Sequence, residues 1–194
     1  MALMTRTGFG QVEPNHLSAQ RTAQIYAQLP AADEINILEN GQFVKYDYAN
    51  EECNFSGKGQ WMMVFNEVKL YDEWRESYKD FAMKKENYTP GGDITHDGLG
   101  PFKGQMVPRV IKINVGDIWT TNALVGPNTS GKNKINLTGF EQENAAELLV
   151  GQSLKVNSTN GFLELGEDEN FEMQIVKVYT MADGQPAVKV MRIK

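Results

Sequence analysis

Phe171-Glu172-Met173-Gln174-Ile175-Val176-Lys177-Val178-Tyr179-Thr180, then the turn signal Asp183-Gly184, then Ala187-Val188-Lys189-Val190-Met191-Arg192-Ile193, reads as two β-strands separated by a tight turn. The same pattern extends backward through the second half of the chain, with strands expected at 106–114, 118–124, 134–137, 153–157 and 161–165. Turns rich in Gly, Asn and Asp separate them, at 115–117, 126–133, 158–160 and 166–170. Short strands spaced in this way predict a small C-terminal β-barrel or sandwich, and a mainly β fold. Residues 141–150 interrupt the pattern. Thr138 and Glu141 have the spacing of a capping box, Ala145 to Leu149 propagate a helix well, and Gly151 supplies a stop, so one short inserted helix is expected.

Upstream, Gln42-Phe43-Val44-Lys45-Tyr46-Asp47-Tyr48 follows the turn signal Asn40-Gly41 and reads as a strand. Gln60-Trp61-Met62-Met63-Val64-Phe65-Asn66 is apolar nearly throughout, as a strand covered on both faces would be. Residues 72–85 predict an amphipathic helix, with Trp74, Tyr78, Phe81 and Ala82 on one face, Asp72 at its start and Lys84 and Lys85 at its end. Residues 88–104 hold five glycines and two prolines in seventeen positions and read as a long loop.

The first 34 residues differ from the rest. Small apolar side chains are scattered among Gln, Ser, Thr and Asn, and Gly8, Gly10, Pro14 and Pro30 punctuate them. Such a segment cannot bury enough surface alone to offset its ordering entropy. The expectation is an extended N-terminal arm over 1–34 and a β-rich body over 35–194, with a possible sub-boundary in the loop 88–104. Phe9, Leu17, Ile25, Tyr26 and Leu29 are the bulky apolar residues of the arm. They are its candidate interface anchors, either on a neighbouring chain or on the protein's own body. An odd-position apolar period and a composition of Ala, Gln and Leu leave strand and helix both open for residues 17–29.

Charge and composition narrow the functions. The net charge is −6, with ten acidic against eight basic residues in 51–110 and again in 111–194, so no basic stripe suited to nucleic acid is present. No apolar run approaches a membrane span, and the amino terminus lacks the layout of a signal peptide. One cysteine, Cys53, excludes an intrachain disulfide framework and reads as a packed small hydrophobe. Gly126-Pro127-Asn128-Thr129-Ser130-Gly131-Lys132-Asn133 matches a phosphate loop except at Asn133, and it continues as a strand rather than a helix. It reads as a glycine-rich turn. Asp93, His96 and Asp97 share one loop and make only part of a metal site. Glu164, Glu167, Asp168, Glu169 and Glu172 lack the alternation of a calcium loop and read as a solvated hairpin end. No catalytic residue, metal or cofactor is therefore assigned, and the chain is not expected to be an enzyme.

Two stretches carry a resemblance. Glu39-Asn40-Gly41-Gln42-Phe43-Val44-Lys45-Tyr46-Asp47-Tyr48 follows the polar arm, and further on come Asn114-Val115-Gly116-Asp117-Ile118-Trp119-Thr120-Thr121-Asn122-Ala123-Leu124 and Val150-Gly151-Gln152-Ser153-Leu154-Lys155-Val156. Together they resemble head-associated accessory proteins, of decoration or cement type, encoded beside the major capsid protein of tailed bacteriophages. The resemblance implies a non-enzymatic virion structural protein, made in the host cytoplasm, that stabilises a capsid through its arm and β-body. Its partners would be the major capsid protein or other virion subunits, with a homo-oligomer expected and neither nucleic acid nor membrane involved. The alternatives are a carbohydrate- or peptide-binding module and a phage tail component.

Overall fold

The computed structural model describes residues 3–5, 8–66, 81–88, 105–124, 136–141 and 150–194. Strands dominate, as the sequence predicts. In chain order they are β1 (Leu3–Thr5), β2 (Val12–His16), β3 (Ile25–Tyr26), β4 (Ile37–Leu38), β5 (Phe43–Asp47), β6 (Glu52–Asn54), β7 (Gln60–Val64), β8 (Met83–Lys84), β9 (Val110–Ile111), β10 (Ile118–Thr121), β11 (Asn136–Glu141), β12 (Ser153–Val156), β13 (Leu163–Leu165), β14 (Met173–Thr180) and β15 (Pro186–Arg192). One four-residue helical turn, α1 (Ser18–Arg21), lies between β2 and β3.

Two sheets form the body. A six-stranded antiparallel sheet runs β13-β12-β14-β15-β10-β2, and a five-stranded sheet runs β3-β9-β7-β5-β6. Both are open, so the fold is a sandwich rather than a closed barrel. The expected C-terminal hairpin is its centre: β14 and β15 pair from Met173↔Arg192 to Thr180↔Pro186, with a bulge between Ile175 and Lys177.

The alternation of side chains explains why β7 is apolar after its first residue, Gln60. Phe43, Met63 and Ile111 stand in register on one face of the five-stranded sheet and join Trp119, Leu154, Leu163, Met173, Ile175, Val188 and Val190 of the facing sheet in the main core. Val44, Tyr46, Met62, Val64 and Val110 point the other way, into a second core closed by Ala32, Ile35, Leu38, Met83 and Met106. A strand buried on both faces has no polar side to show.

Residues 10–34 do not form a projecting arm. They are woven into both sheets. β2 is the edge strand beside β10, β3 is the edge strand beside β9, and Pro30–Ala32 lie along β6, where the backbone N–H of Ala32 donates to Cys53 and that of Cys53 donates to Pro30. Leu17 and Ala19 are buried in the main core. A polar segment can do this because the body supplies its hydrogen bonds. Thr121 Oγ1 donates to the Gln11 carbonyl (2.9 Å), Thr120 Oγ1 donates to Asn15 Oδ1 (2.9 Å), and Asn122 Oδ1 accepts the Gln11 N–H (2.8 Å). Ordering entropy that the segment could not offset alone is offset by main-chain pairing and burial in the body.

Two expected helices need correction in their described parts. Phe81 and Ala82 are irregular, and Met83–Lys84 form β8, paired to Ile37–Leu38, so the carboxyl end of the helix expected at 72–85 is strand and then a 3-10 turn, Lys85–Asn87. Burial of Met83 in the second core outweighs local helix preference there. Glu141, the expected start of the inserted helix, closes β11 instead, which pairs with β1. Residues 72–80 and 142–149 lie outside the described residues.

Candidate functional site

Two adjoining concavities of the described surface open at one end of the five-stranded sheet, where charged residues interrupt apolar strands. Lys45 stands directly opposite Trp61 in the β5–β7 register, and its ammonium lies 5.2 Å from the centre of the indole. Its Nζ also donates to the Gly57 carbonyl at 2.7 Å. Facing it, the Arg192 guanidinium covers the Phe171 ring at 4.3 Å. Nε of Arg192 donates to the Lys194 carbonyl at 2.5 Å, and Nη1 donates to the Ile113 carbonyl. Burial works to lower the Arg192 pKa, against the field of Asp117, but a guanidinium stays charged at any physiological pH. These two cations, Lys112 and Asp168 line a groove of about 620 Å³ with Trp61 and Phe171.

A second groove of about 430 Å³ adjoins it and shares Gly59, Gln60 and Lys112 in its wall. Its aromatic side is a tyrosine stack. Tyr26 and Tyr46 lie 5.5 Å apart, Tyr46 and Tyr48 meet edge to face at 5.2 Å, and Tyr48 is 63% exposed. The Tyr46 hydroxyl accepts the backbone N–H groups of Gln28 and Leu29, each at 3.2 Å. Burial raises the Tyr46 pKa and those two donors work against the rise.

The loop between β5 and β6 and the bend 55–59 edge the second groove, with Gly59 shared by the first, and Asp47 holds them together. Its carboxylate accepts the N–H groups of Ala49 (3.0 Å) and Lys58 (3.1 Å) and the side-chain amide of Asn50 (3.0 Å). Burial pushes the Asp47 pKa upward, but the N–H donors of Lys58, Ala49 and Asn50 outweigh it and leave the carboxyl below its ordinary value. Nearby, Cys53 is buried, and burial, then the field of Glu52, push its thiol up to about 12. That thiol is a packing group.

The five anchors chosen from the sequence pack on their own chain. Leu17 is in the main core, Ile25 packs against it, and Tyr26 and Leu29 pack against the second core. Phe9 is half-buried beneath the Lys84 ammonium, 5.7 Å from its ring centre. Of the five, Tyr26 alone lines either of these two grooves. The groove cations Lys45, Lys112 and Arg192 were not singled out by motif reading, although each sits as a charged interruption in an apolar strand or its continuation.

The acidic cluster around 166–170 is structural. Glu172 is buried and accepts from Lys194 Nζ (2.6 Å) and Ser153 Oγ (2.5 Å); those two bonds, in that order, hold its carboxyl below the ordinary range. Glu164 accepts from Asn157 (2.7 Å) and lies 3.6 Å from the Lys155 ammonium, and Asp168 caps the N–H groups of Asn170 and Phe171 at 2.8 Å each. Among the described residues no three His, Cys, Asp or Glu side chains are grouped to hold a metal. The loop with Asp93, His96 and Asp97 and the glycine-rich turn 126–133 lie outside the described residues. Comparison of the chain with protein-family models, with characterised proteins and with solved structures finds no match.

Proposed function

We propose that the protein is a non-enzymatic structural subunit of a larger assembly, and specifically an accessory or decoration protein of a tailed-phage head. The observation that carries the reading is the groove pair itself. Its described lining is mainly aromatic, basic and amide-bearing, with Asp47 and Asp168 as its carboxylates, and it stands on a sandwich whose N-terminal segment is locked into both sheets. Chemistry of that kind suits holding a partner surface, since aromatic and Arg side chains supply most of the energy at protein interfaces. The resemblance of the stretches 39–48, 114–124 and 150–156 to head accessory proteins supports the more specific form.

The test is co-expression with the major capsid protein of the same genome, followed by gradient sedimentation of the assembled heads. The chain is expected to travel with the heads in fixed proportion, and to show an oligomeric mass in solution. Recovery with tails alone would make it a tail component, and recovery as a free monomer absent from both would overturn the proposal.

A second reading is favoured by one observation. The exposed Tyr48 beside Tyr26 and Tyr46 is a shelf of the kind that holds a carbohydrate or a peptide. Two facts weigh against a sugar. Trp119 is fully buried, and the Lys45 ammonium covers the Trp61 ring.

A further inference from the structure

We infer that the 620 Å³ groove between Trp61 and Phe171 is a docking site for an extended acidic peptide segment of a partner subunit. The inference rests on the assembly reading above and names the chemistry of the contact. Three cations, Lys45, Lys112 and Arg192, line the groove against one carboxylate, Asp168. The chain as a whole carries a net charge of −6. The groove is thus a local reversal of charge on an acidic protein, and charge complementarity selects an anionic occupant.

Two of the three cations are also held in place. Lys45 is fixed between the Gly57 carbonyl and the Trp61 ring, and Arg192 between the carbonyls of Ile113 and Lys194 and the Phe171 ring. Among the described residues no Asp or Glu side chain comes within ion-pair distance of Lys45, Lys112 or Arg192; Arg192 Nε already donates to a main-chain oxygen of Lys194, and Asp117 acts on Arg192 only through its field. An ammonium has three donors and a guanidinium five, so each fixed cation keeps N–H groups for a ligand. Pre-positioned donors lose little entropy when a carboxylate arrives.

A peptide fits this better than a sugar. Stacking a sugar requires an open aromatic face, and cations already cover both the Trp61 and Phe171 rings. Carboxylate side chains along an extended backbone require only spaced cations, with the Asn170 and Gln60 amides beside them to meet main-chain groups.

The probe is a fluorescein-labelled hexaglutamate peptide, titrated with the full chain and followed by fluorescence anisotropy. Saturable binding is expected at about 50 mM salt, weakening at about 500 mM as the shorter Debye length screens the contact. Lys45→Gln with Lys112→Gln should weaken it at least tenfold, and Arg192→Gln should do the same. Lys177→Gln, on the exposed middle of β14, should leave it unchanged. The paired lysine variant keeps the test sound if Arg192→Gln fails to fold, since neither lysine is buried. No binding by hexaglutamate, or equal loss with Lys177→Gln, overturns the inference. Binding of an oligogalacturonate but not of the peptide also overturns it, in favour of an acidic sugar. Sedimentation with heads in the absence of peptide binding would leave the structural role standing and remove only this site.

Discussion

Gly161 shows how much a single position carries. It adopts φ +72°, a β-carbon there would lie 2.1 Å from the Phe43 carbonyl oxygen, and its own carbonyl accepts the Phe43 N–H at 2.7 Å. Gly161→Ala would therefore strain the backbone and break the join between the loop before β13 and the start of β5. A loss of more than about 1 kcal/mol is expected, read as a lower midpoint in urea. Cys53 makes a different prediction at the same scale. With its pKa at about 12, the thiol should resist Ellman's reagent at pH 8 in the native protein and react promptly once urea exposes it. Glu172 sets an acid limit. Its folded pKa is depressed below the unfolded value near 4.5, so its stabilising contribution is present above that value and is lost as pH falls through the folded one. Glu172→Gln should lower stability at neutral pH and flatten its fall below about pH 4.5, measured as the urea midpoint against pH.

At the level of elements, the N-terminal segment is the test of the architecture. Leu17→Ala removes a side chain that is 3% exposed in the main core and should cost about 2–5 kcal/mol. Deleting residues 1–32 would strip an edge strand from each sheet and should leave a body without cooperative unfolding by circular dichroism, whereas a detachable arm would leave it intact. The β-rich half was legible because its turns carry their own chemistry: Gly116, Gly166 and Gly184 all adopt positive φ between expected strands, at +89°, +150° and +81°. The doubly buried β7 was legible because all but its first residue is apolar or aromatic. The N-terminal segment was not, since its supports are remote. The first N–H of α1 is capped by Asp117 Oδ1 at 2.9 Å, 99 positions away, and no local residue announces it. Strand β6 hid in a polar loop because Cys53 alone faces the core while Glu52 and Asn54 serve the rim. The grooves were illegible for the same reason. Lys45, Lys112 and Arg192 meet only when two sheets stack, and no spacing in the chain marks that meeting.

For the whole molecule, the five-stranded sheet belongs to two cores at once, so neither core can open without the other losing a wall. Unfolding followed by the fluorescence of the three tryptophans, of which Trp119 lies in the main core and Trp61 packs against it, and by far-UV circular dichroism should give coincident transitions. Separate transitions would mean that the two cores behave as independent units. The lacing of residues 10–32 also governs the time course of folding. Val12 pairs with Thr121, and Gln11 bonds to Asn122 across 111 positions. Contacts that span so much chain are slow to form, because the intervening loop must close before any of them is rewarded. On the ribosome β2 and β3 emerge well before β10 and β9, the strands they pair with, have been made. The leading residues' scarcity of large apolar side chains then acquires a second meaning, as a segment able to wait in water without aggregating until β9 and β10 have been made.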